Sequence, residues 1–289
     1  MAFLLRFLLV LAAACLSVAH AADSRNADEI YSRGKAAFDR LEYLFALEDF
    51  KEAAAQGHAK AQTDIGGLYE YGLGVIRDYA EAVKWYRKAA DQGDANAQFN
   101  LGAMYHRALG VTKDYAEAVK WVRKAAEQGH TKAQAGLGSA YATGLGVTQD
   151  NAEAVKWFRK AADQGDADAQ YNLGVMFEKG LGVTQDNAEG VKWFRKAADQ
   201  GNANAQFNLG AMYMTGGQEV TIDYAEAVKW YRKAANQGDV AAQNNLGVMY
   251  LKGQGVAQDN AEGLKWLRLA VKGGDQEAVK TLKRLGMSY

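Results

Sequence analysis

The stretch Asp150–Gly165, D-N-A-E-A-V-K-W-F-R-K-A-A-D-Q-G, decides the fold of this chain. Its alanine, valine and aromatic residues recur three and four positions apart, which places them on one face of a helix. The aspartate at its start is a preferred N-cap residue, and the glutamate three positions later has the spacing of a capping box. The glycine at its end suits the left-handed conformation that terminates many helices. The stretch therefore predicts an amphipathic helix with both ends marked.

Similar stretches occur six times, and their tryptophans are spaced by 36 residues four times and by 37 residues once. These tryptophans are Trp85, Trp121, Trp157, Trp193, Trp230 and Trp266. Each copy follows a second amphipathic segment, in which residues such as Ala97, Leu101 and Met104 share one face. We call the earlier helix of each unit A and the later helix B. A fixed period of this length is typical of stacked helix pairs, so it overrides the two-domain expectation for 289 residues.

Each predicted A helix also carries a glycine in its interior. The six glycines are Gly66, Gly102, Gly138, Gly174, Gly210 and Gly247. A glycine inside a helix costs about 1 kcal/mol relative to alanine, so six copies require a steric reason. We expect helix B to approach at this point closely enough for the two backbones to meet. The repeated tryptophans are expected to pack between repeats, and the repeated Lys84 and Arg87 positions to form a solvated or salt-bridged face.

The ends of the chain differ from the repeats. Within residues 22–57, Ala27–Gly57 aligns with one unit if the loop is shortened, but Asp49 stands where tryptophan is expected. This segment is predicted to be a degenerate N-terminal capping pair, followed by six repeats over residues 58–274. Residues 275–289 are amphipathic and basic and predict a C-terminal capping helix, because terminal repeats must cover the last exposed face.

Residues 1–21 have the pattern of a secretory signal peptide. Arg6 gives a positive start, Phe7–Val18 is almost wholly apolar, and Ala19-His20-Ala21 is a small-x-small cleavage site. Cleavage before Ala22 predicts a periplasmic or secreted protein. Two alternatives remain open, an uncleaved anchor and a lipoprotein attached at Cys15, and only lipidation would give peripheral membrane association.

Composition restricts the partners. The chain has 34 basic and 34 acidic residues, so it lacks the net positive charge that would attract the phosphates of nucleic acid. Its single cysteine excludes an intramolecular disulfide framework.

The unit A-x-A-Q-x-N-L-G-x-M-Y … G-x-G-V-x-x-D-x-A-E-A-V-K-W-x-R-K-A-A-x-Q-G resembles the Sel-one-like repeat, a relative of the tetratricopeptide repeat. The resemblance covers Ala59–Gly274. It implies an all-α, right-handed superhelical solenoid of antiparallel helix pairs, with the A helices lining the concave side. It also implies an adaptor or scaffold role, and exported bacterial members are tied to secretion, envelope assembly and host contact. Cysteine-rich members of the family carry a cysteine pair in each repeat, which this chain lacks, so the penicillin-binding or lactamase activity claimed for them is not carried over.

The candidate chemical groups favour structural roles. His58 and His130 stand at the starts of A helices two repeats apart, or roughly 20 Å by helix spacing, so they cannot share a metal and are expected to be surface or capping residues. Loops such as Gly144-Leu145-Gly146 follow a helix rather than a strand, and they therefore predict turns rather than a phosphate cradle. We predict no catalytic residue, no metal site and no small-molecule cofactor.

The informative positions are those that are not copied between repeats. The fifth, ninth and twelfth residues of each unit lie four and three apart, so they form one stripe along the A helices. We call this set the variable stripe. Its large apolar members are expected to be exposed on the concave wall, where such groups mark binding sites. The predicted partner-binding residues are Phe99, Tyr171, Phe207, Met214, Leu251, Glu70, Glu178, Lys179 and Lys252.

The sequence therefore predicts a non-enzymatic, exported scaffold that binds a peptide or another protein in its concave groove. The alternatives are an exported cell-wall-active or hydrolytic enzyme, which would need a clustered nucleophile or metal site, and a glycan-binding module that uses aromatic platforms. The competing interpretation of the stripe itself is that its side chains only pad neighbouring helices.

Overall fold

The computed structural model describes residues 26–217 and 220–287, and the predicted signal segment with Cys15 lies outside them. Within the described ranges the chain forms fifteen α-helices and no strand, which confirms the predicted all-α class. The helices are α1 (Ala27–Asp39), α2 (Tyr43–Ala55), α3 (Ala59–Tyr71), α4 (Tyr79–Asp91), α5 (Ala95–Arg107), α6 (Tyr115–Glu127), α7 (Thr131–Thr143), α8 (Asn151–Asp163), α9 (Ala167–Lys179), α10 (Asn187–Asp199), α11 (Ala203–Thr215), α12 (Tyr224–Asn236), α13 (Val240–Lys252), α14 (Asn260–Lys272) and α15 (Gln276–Arg284).

The helices form a solenoid of stacked pairs, in which A and B helices alternate in chain order from α3 onwards. The chain divides into two compact units, with the boundary after Ala125 inside α6. The first unit contains α1 to α5 and most of α6, and the second contains α7 to α15. Consecutive helices pack against each other from α1 to α5 in the first unit and from α7 to α15 in the second.

The hydrophobic core lies between successive repeats. In the second unit, one cluster combines Phe158 on α8 with Leu173 and Met176 on α9 and with Trp193 on α10. The next cluster repeats this arrangement one step further along the chain, from Phe194 to Trp230. Each cluster thus joins helix B of one repeat to helix A and the tryptophan of the next repeat. The predicted role of the tryptophans in packing between repeats is confirmed.

The predicted N-cap aspartates are confirmed in all six B helices, but the predicted reciprocal bond from glutamate is wrong. Asp150 Oδ1 accepts from the backbone N–H of Glu153 at 3.0 Å. The Asp150 N–H, which a capping-box glutamate would need, donates instead to the Tyr141 carbonyl at 2.9 Å. Glu153 is therefore available to pair with Lys156 at 2.8 Å. The equivalent carbonyl from helix A fixes the start of helix B in every repeat.

The A-helix glycines are explained mainly by side chains rather than by contact between backbones. A Cβ atom at Gly66, Gly138, Gly174 or Gly210 would lie 2.5–2.7 Å from the ring of an aromatic residue on helix B. At Gly102 and Gly247 a backbone oxygen, 2.9–3.0 Å away, is among the three atoms nearest to that position. In the other four repeats the nearest atoms belong to a buried tyrosine or phenylalanine ring, which fills the space that glycine leaves.

The two ends pack differently from the repeats. Asp49, which replaces the tryptophan on α2, pairs with Arg33, and Arg33 also reaches Glu52 at 3.0 Å. At the other end, α15 buries Ala278 and Leu282 against α14 and leaves its basic side exposed. A charged cluster thus takes the place of the tryptophan near one end, and the basic side of α15 faces solvent at the other.

Candidate functional site

The large apolar members of the variable stripe are half-buried, not exposed as expected. The Phe207 ring centroid lies 5.7 Å from that of Tyr231 on the following helix B, and the Tyr171 centroid lies 5.8 Å from that of Phe194. The fifth residue of helix A lies beside the helix B ring that packs on the helix A glycine. One side of Tyr171 and one side of Phe207 therefore pack inward. The other side remains open to solvent.

The remaining apolar members follow the same pattern. Met214 Sδ lies 3.9 Å from the Tyr231 hydroxyl, and Leu251 packs with Val248 on the α14–α15 cluster. Phe99 is half-buried on α5. The stripe therefore combines both interpretations of the sequence, because its side chains pad the neighbouring helices and also present surface.

The charged residues of the predicted partner-binding site differ in environment. Glu70 accepts a hydrogen bond from the buried Tyr86 hydroxyl at 2.6 Å, and burial followed by this bond holds the pKa of Tyr86 well above its usual value. Burial and then the charge of Glu178 raise the pKa of Tyr171, which places these two side chains in one electrostatic environment. Lys179 and Lys252 are exposed in the last turns of α9 and α13, where positive charge favours the helix dipole.

The B helices present a repeated face of charge pairs. Lys84 Nζ lies 2.8 Å from Glu81 Oε2, and equivalent pairs recur in the later B helices. In the second unit, Lys160 and Lys196 also lie over tryptophan rings, at 4.0 and 3.8 Å from the ring centroids. Arg87 donates to the Tyr105 hydroxyl. The predicted salt-bridged face is confirmed, and its uniformity gives little basis for selecting a partner.

The histidines at the A-helix starts are caps, as predicted. His58 Nδ1 accepts from the Ala61 N–H at 3.0 Å, and His130 Nδ1 accepts from the Ala133 N–H at 3.1 Å. Within residues 26–217 and 220–287, no group of three or more histidine, cysteine, aspartate or glutamate side chains could hold a metal ion. Gly144 and Gly146 adopt positive φ angles of 74° and 77° in a turn between helices, which confirms that interpretation of the loop.

The structure reveals a cavity that the sequence pattern did not predict. It lies between α7, α8 and α9, has a volume of about 290 Å³, and is bordered by Ser139 and Ala142 of the stripe and by Asn172. The predicted site was based on large apolar side chains, whereas the signal for this cavity is a run of small ones. The residues Ala135, Ser139 and Ala142 occupy the fifth, ninth and twelfth positions of a single repeat.

A second feature that was not predicted is an apolar patch in the first unit, around the start of α2 and the loop after α3. Its five side chains are between 63% and 92% exposed: Leu41, Leu44, Phe45, Tyr71 and Ile76. Phe45 stands where the later B helices have the glutamate that pairs with lysine. Comparing repeats for positions that change from polar to apolar would have found it.

These features define a class of protein, a helical-repeat scaffold. The Sel1 repeat model matches residues 59–94, 95–130, 131–166, 167–202, 203–239 and 240–275, and the chain therefore belongs to the Sel1 repeat family. Repeats of this kind typically mediate protein–protein interactions.

Two solved structures support this assignment. The Sel1 repeat protein from Oxalobacter formigenes is 35% identical with a TM-score of 0.74, and the match covers 83% of this chain and 96% of that one. The protective antigen c5321 of uropathogenic Escherichia coli, which displays an SLR fold, is 30% identical with a TM-score of 0.56, over 91% of this chain and 73% of that one. No curated protein matches this chain. Across the ranges that the structure describes, none of the helices has the length and apolar character needed to cross a bilayer.

Proposed function

We propose that this chain is an exported, non-enzymatic scaffold that binds a peptide or a segment of another protein along the variable stripe of its A helices. The observation that carries the proposal is the contrast between two sets of positions. Core, capping and charge-pair residues are copied through the repeats, whereas the stripe changes at almost every step. Packing requires the copied set, whereas the stripe offers a surface along the A helices that differs from one repeat to the next.

The chemistry of the stripe favours a peptide or protein partner. In the second unit it presents the open sides of Tyr171 and Phe207 together with Met214, and half-buried aromatic side chains are common anchors in interfaces. Glu178 and the exposed Lys179 and Lys252 border these groups with both signs of charge. Such mixed charge suits a polypeptide better than a polyanion.

The binding test compares two double variants of the full chain. Peptides selected from a random phage-displayed library would be measured by fluorescence anisotropy against Tyr171→Ala/Phe207→Ala. The matched control is Phe177→Ala/Tyr213→Ala, because these aromatic residues lie on the same two A helices and are also half-buried. Both double variants are expected to lose stability, since each removes two partly packed rings.

Only the stripe variant is expected to lose peptide affinity, by at least about tenfold, or roughly 1.4 kcal/mol. An equal loss in both variants would attribute the effect to folding. Unchanged affinity in the stripe variant, or a library that enriches no peptide, would overturn the proposal.

Export is tested separately. The proposal rests on the pattern of Arg6, the apolar Phe7–Val18 and Ala19-His20-Ala21. When the full gene product is expressed in a bacterial host, we expect a processed chain that begins at Ala22, identified by intact mass. Processing should be unchanged by Cys15→Ser. An unprocessed mass would contradict export by cleavage, and a mass that begins at a lipid-modified Cys15 would establish the lipoprotein alternative.

A further inference from the structure

The third Sel1 repeat, residues 131–166, differs from the others at the twelfth position of its A helix. This position lies four residues after the helix glycine, so its side chain stands one turn above the helix B residue that packs on the glycine, which is aromatic in four of the six repeats. In the first and fifth repeats, Glu70 lies 2.6 Å from the Tyr86 hydroxyl and Met214 lies 3.9 Å from that of Tyr231. In the sixth repeat, Leu251 occupies the space beside Gly263.

Ala142 occupies this position in the third repeat, and its side chain ends at a methyl group. The space over Phe158 that the longer side chains fill elsewhere is left open as the cavity of about 290 Å³. Ser139, one turn earlier on α7, is also small and leaves the mouth of the cavity unobstructed. The cavity therefore follows from the absence of the longer side chain that Glu70 and Met214 supply in the first and fifth repeats.

The lining of this cavity is uncharged. Its apolar surface comes from Ala142, Val175 and Met176 and from Leu181 in the following loop. Its polar groups are all neutral: Ser139, Thr143, Gln149, Asn151 and Asn172. A charged group placed in the cavity would lose water without gaining an ionic partner, which is costly. The volume is at the lower limit of ligand pockets, roughly 300 Å³, so it suits a single side chain better than a cofactor.

Asn172 provides the polar contact for such a ligand. The equivalent Asn245, two repeats later, hydrogen-bonds with the hydroxyl of Tyr231. The ring below Asn172 is Phe158, which has no hydroxyl group. Among the residues that the structure describes, none forms a hydrogen bond with the half-buried Asn172 side chain. Its amide can therefore donate to, and accept from, the main chain of a bound peptide.

We propose that this cavity binds one large, uncharged apolar side chain of a peptide, of leucine or phenylalanine size, while Asn172 hydrogen-bonds with the adjacent peptide main chain. The inference rests on the proposed function and deepens it, because it assigns the position on the stripe that selects one residue of the peptide. The fifth and sixth repeats cannot offer an equivalent pocket, since Met214 and Leu251 already fill it.

The first test uses blocked amino acids as probes and NMR of the full chain as the readout. N-acetyl-leucinamide and N-acetyl-phenylalaninamide are expected to shift the signals of the Asn172 side-chain amide and the Ala142 methyl group. N-acetyl-lysinamide and N-acetylglucosamine should leave both signals in place. Equal shifts with the lysine probe, a response to the sugar alone, or no shift with any probe at millimolar concentration would overturn the proposal.

The second test fills the cavity. Ala142→Met reproduces the side chain that Met214 provides in the fifth repeat, and we expect it to abolish the probe-induced shifts without lowering the melting temperature. Ala116→Met, at an exposed alanine on α6, is the matched control and should respond as the wild type does. Asn172→Ala keeps the cavity open and should weaken probe binding about tenfold, which provides a variant that does not depend on the fit of methionine.

The same variants separate this inference from the proposed function. With library-selected peptides, Ala142→Met is expected to reduce affinity at least about tenfold. If it binds like the wild type while Tyr171→Ala/Phe207→Ala does not, the stripe binds peptides and the pocket does not. If neither variant differs from the wild type, both proposals fail.

Discussion

Two adjacent glycines in α3 provide a direct test of how the repeat packs. A Cβ atom added at Gly66 would lie 2.6 Å from the Tyr86 ring, whereas one added at Gly67 would lie 3.8 Å from the Tyr86 hydroxyl. An ordinary contact begins near 3.4 Å, so Gly66→Ala requires the ring to move by almost 1 Å. Tyr86 is only 1% exposed and its hydroxyl is bonded to Glu70, so it has little room to move.

Both substitutions gain the same helix propensity, about 1 kcal/mol, because both replace glycine inside one helix. Gly66→Ala must in addition overpack the core, at a cost of about 1–3 kcal/mol. We therefore expect Gly67→Ala to be stabilised, and Gly66→Ala to lie about 1–3 kcal/mol below it in free energy of unfolding. Equilibrium urea unfolding of the full chain, followed by circular dichroism, would measure the difference. If Gly66→Ala is as stable as Gly67→Ala, close packing of the Tyr86 ring is not the reason for the repeated glycine.

Three further outcomes follow from the contacts within the second unit. Gln170→Leu removes a donor to the Ala162 carbonyl at 3.1 Å and an acceptor for Gln200 at 2.8 Å. Urea unfolding should therefore show a loss of about 1–3 kcal/mol in free energy of unfolding. Gln200→Ala removes only the second bond and should cost about 1 kcal/mol. Trp193→Ala, at a residue 5% exposed between repeats, should cost about 3–5 kcal/mol in the same assay, and a loss below about 1 kcal/mol would contradict the packing described. Burial raises the pKa of Tyr231 from its ordinary value of 10 to about 12. The stability that depends on the neutral Tyr231 hydroxyl is therefore fully present below pH 10 and is lost as pH rises towards 12. Tyr231→Phe should flatten the fall in stability over this alkaline range, as measured by urea unfolding at several pH values, and an unchanged slope would show that Tyr231 does not ionise on unfolding.

The sequence was sufficient to predict the architecture because each repeat supports the assignment made in the others. The period of the tryptophans, the N-cap aspartates and the glycines after helix B all indicated the helix boundaries, and the structure confirms these roles. The reciprocal glutamate cap failed for a reason invisible in local sequence. A carbonyl from helix A, such as that of Tyr141, already occupies the N–H that the glutamate would have capped.

The candidate site could be predicted only in part. The variable stripe is visible as a set of positions, but the degree of burial of Phe207 depends on the ring of Tyr231, which comes from another helix. The cavity is harder to foresee, because it arises where a side chain is missing. Ala142 becomes informative only when Glu70 and Met214 are seen to fill the equivalent space in other repeats.

The packing explains why few positions in this repetitive chain can vary without changing the core. Each hydrophobic cluster takes residues from two successive repeats, so a change at Phe158 or Leu173 alters the interface of both. The buried glutamines add the same constraint, since Gln170 joins the end of α8 to the end of α10. The twelfth position of helix A is different, because Glu70 and Met214 each meet one ring of helix B and remain partly exposed. Its side chain differs between Ala142 and Met214, whereas the buried residues around it are copied between repeats. Under the proposed function, the size of this side chain sets the specificity of each repeat for a peptide, while the shared core remains unchanged.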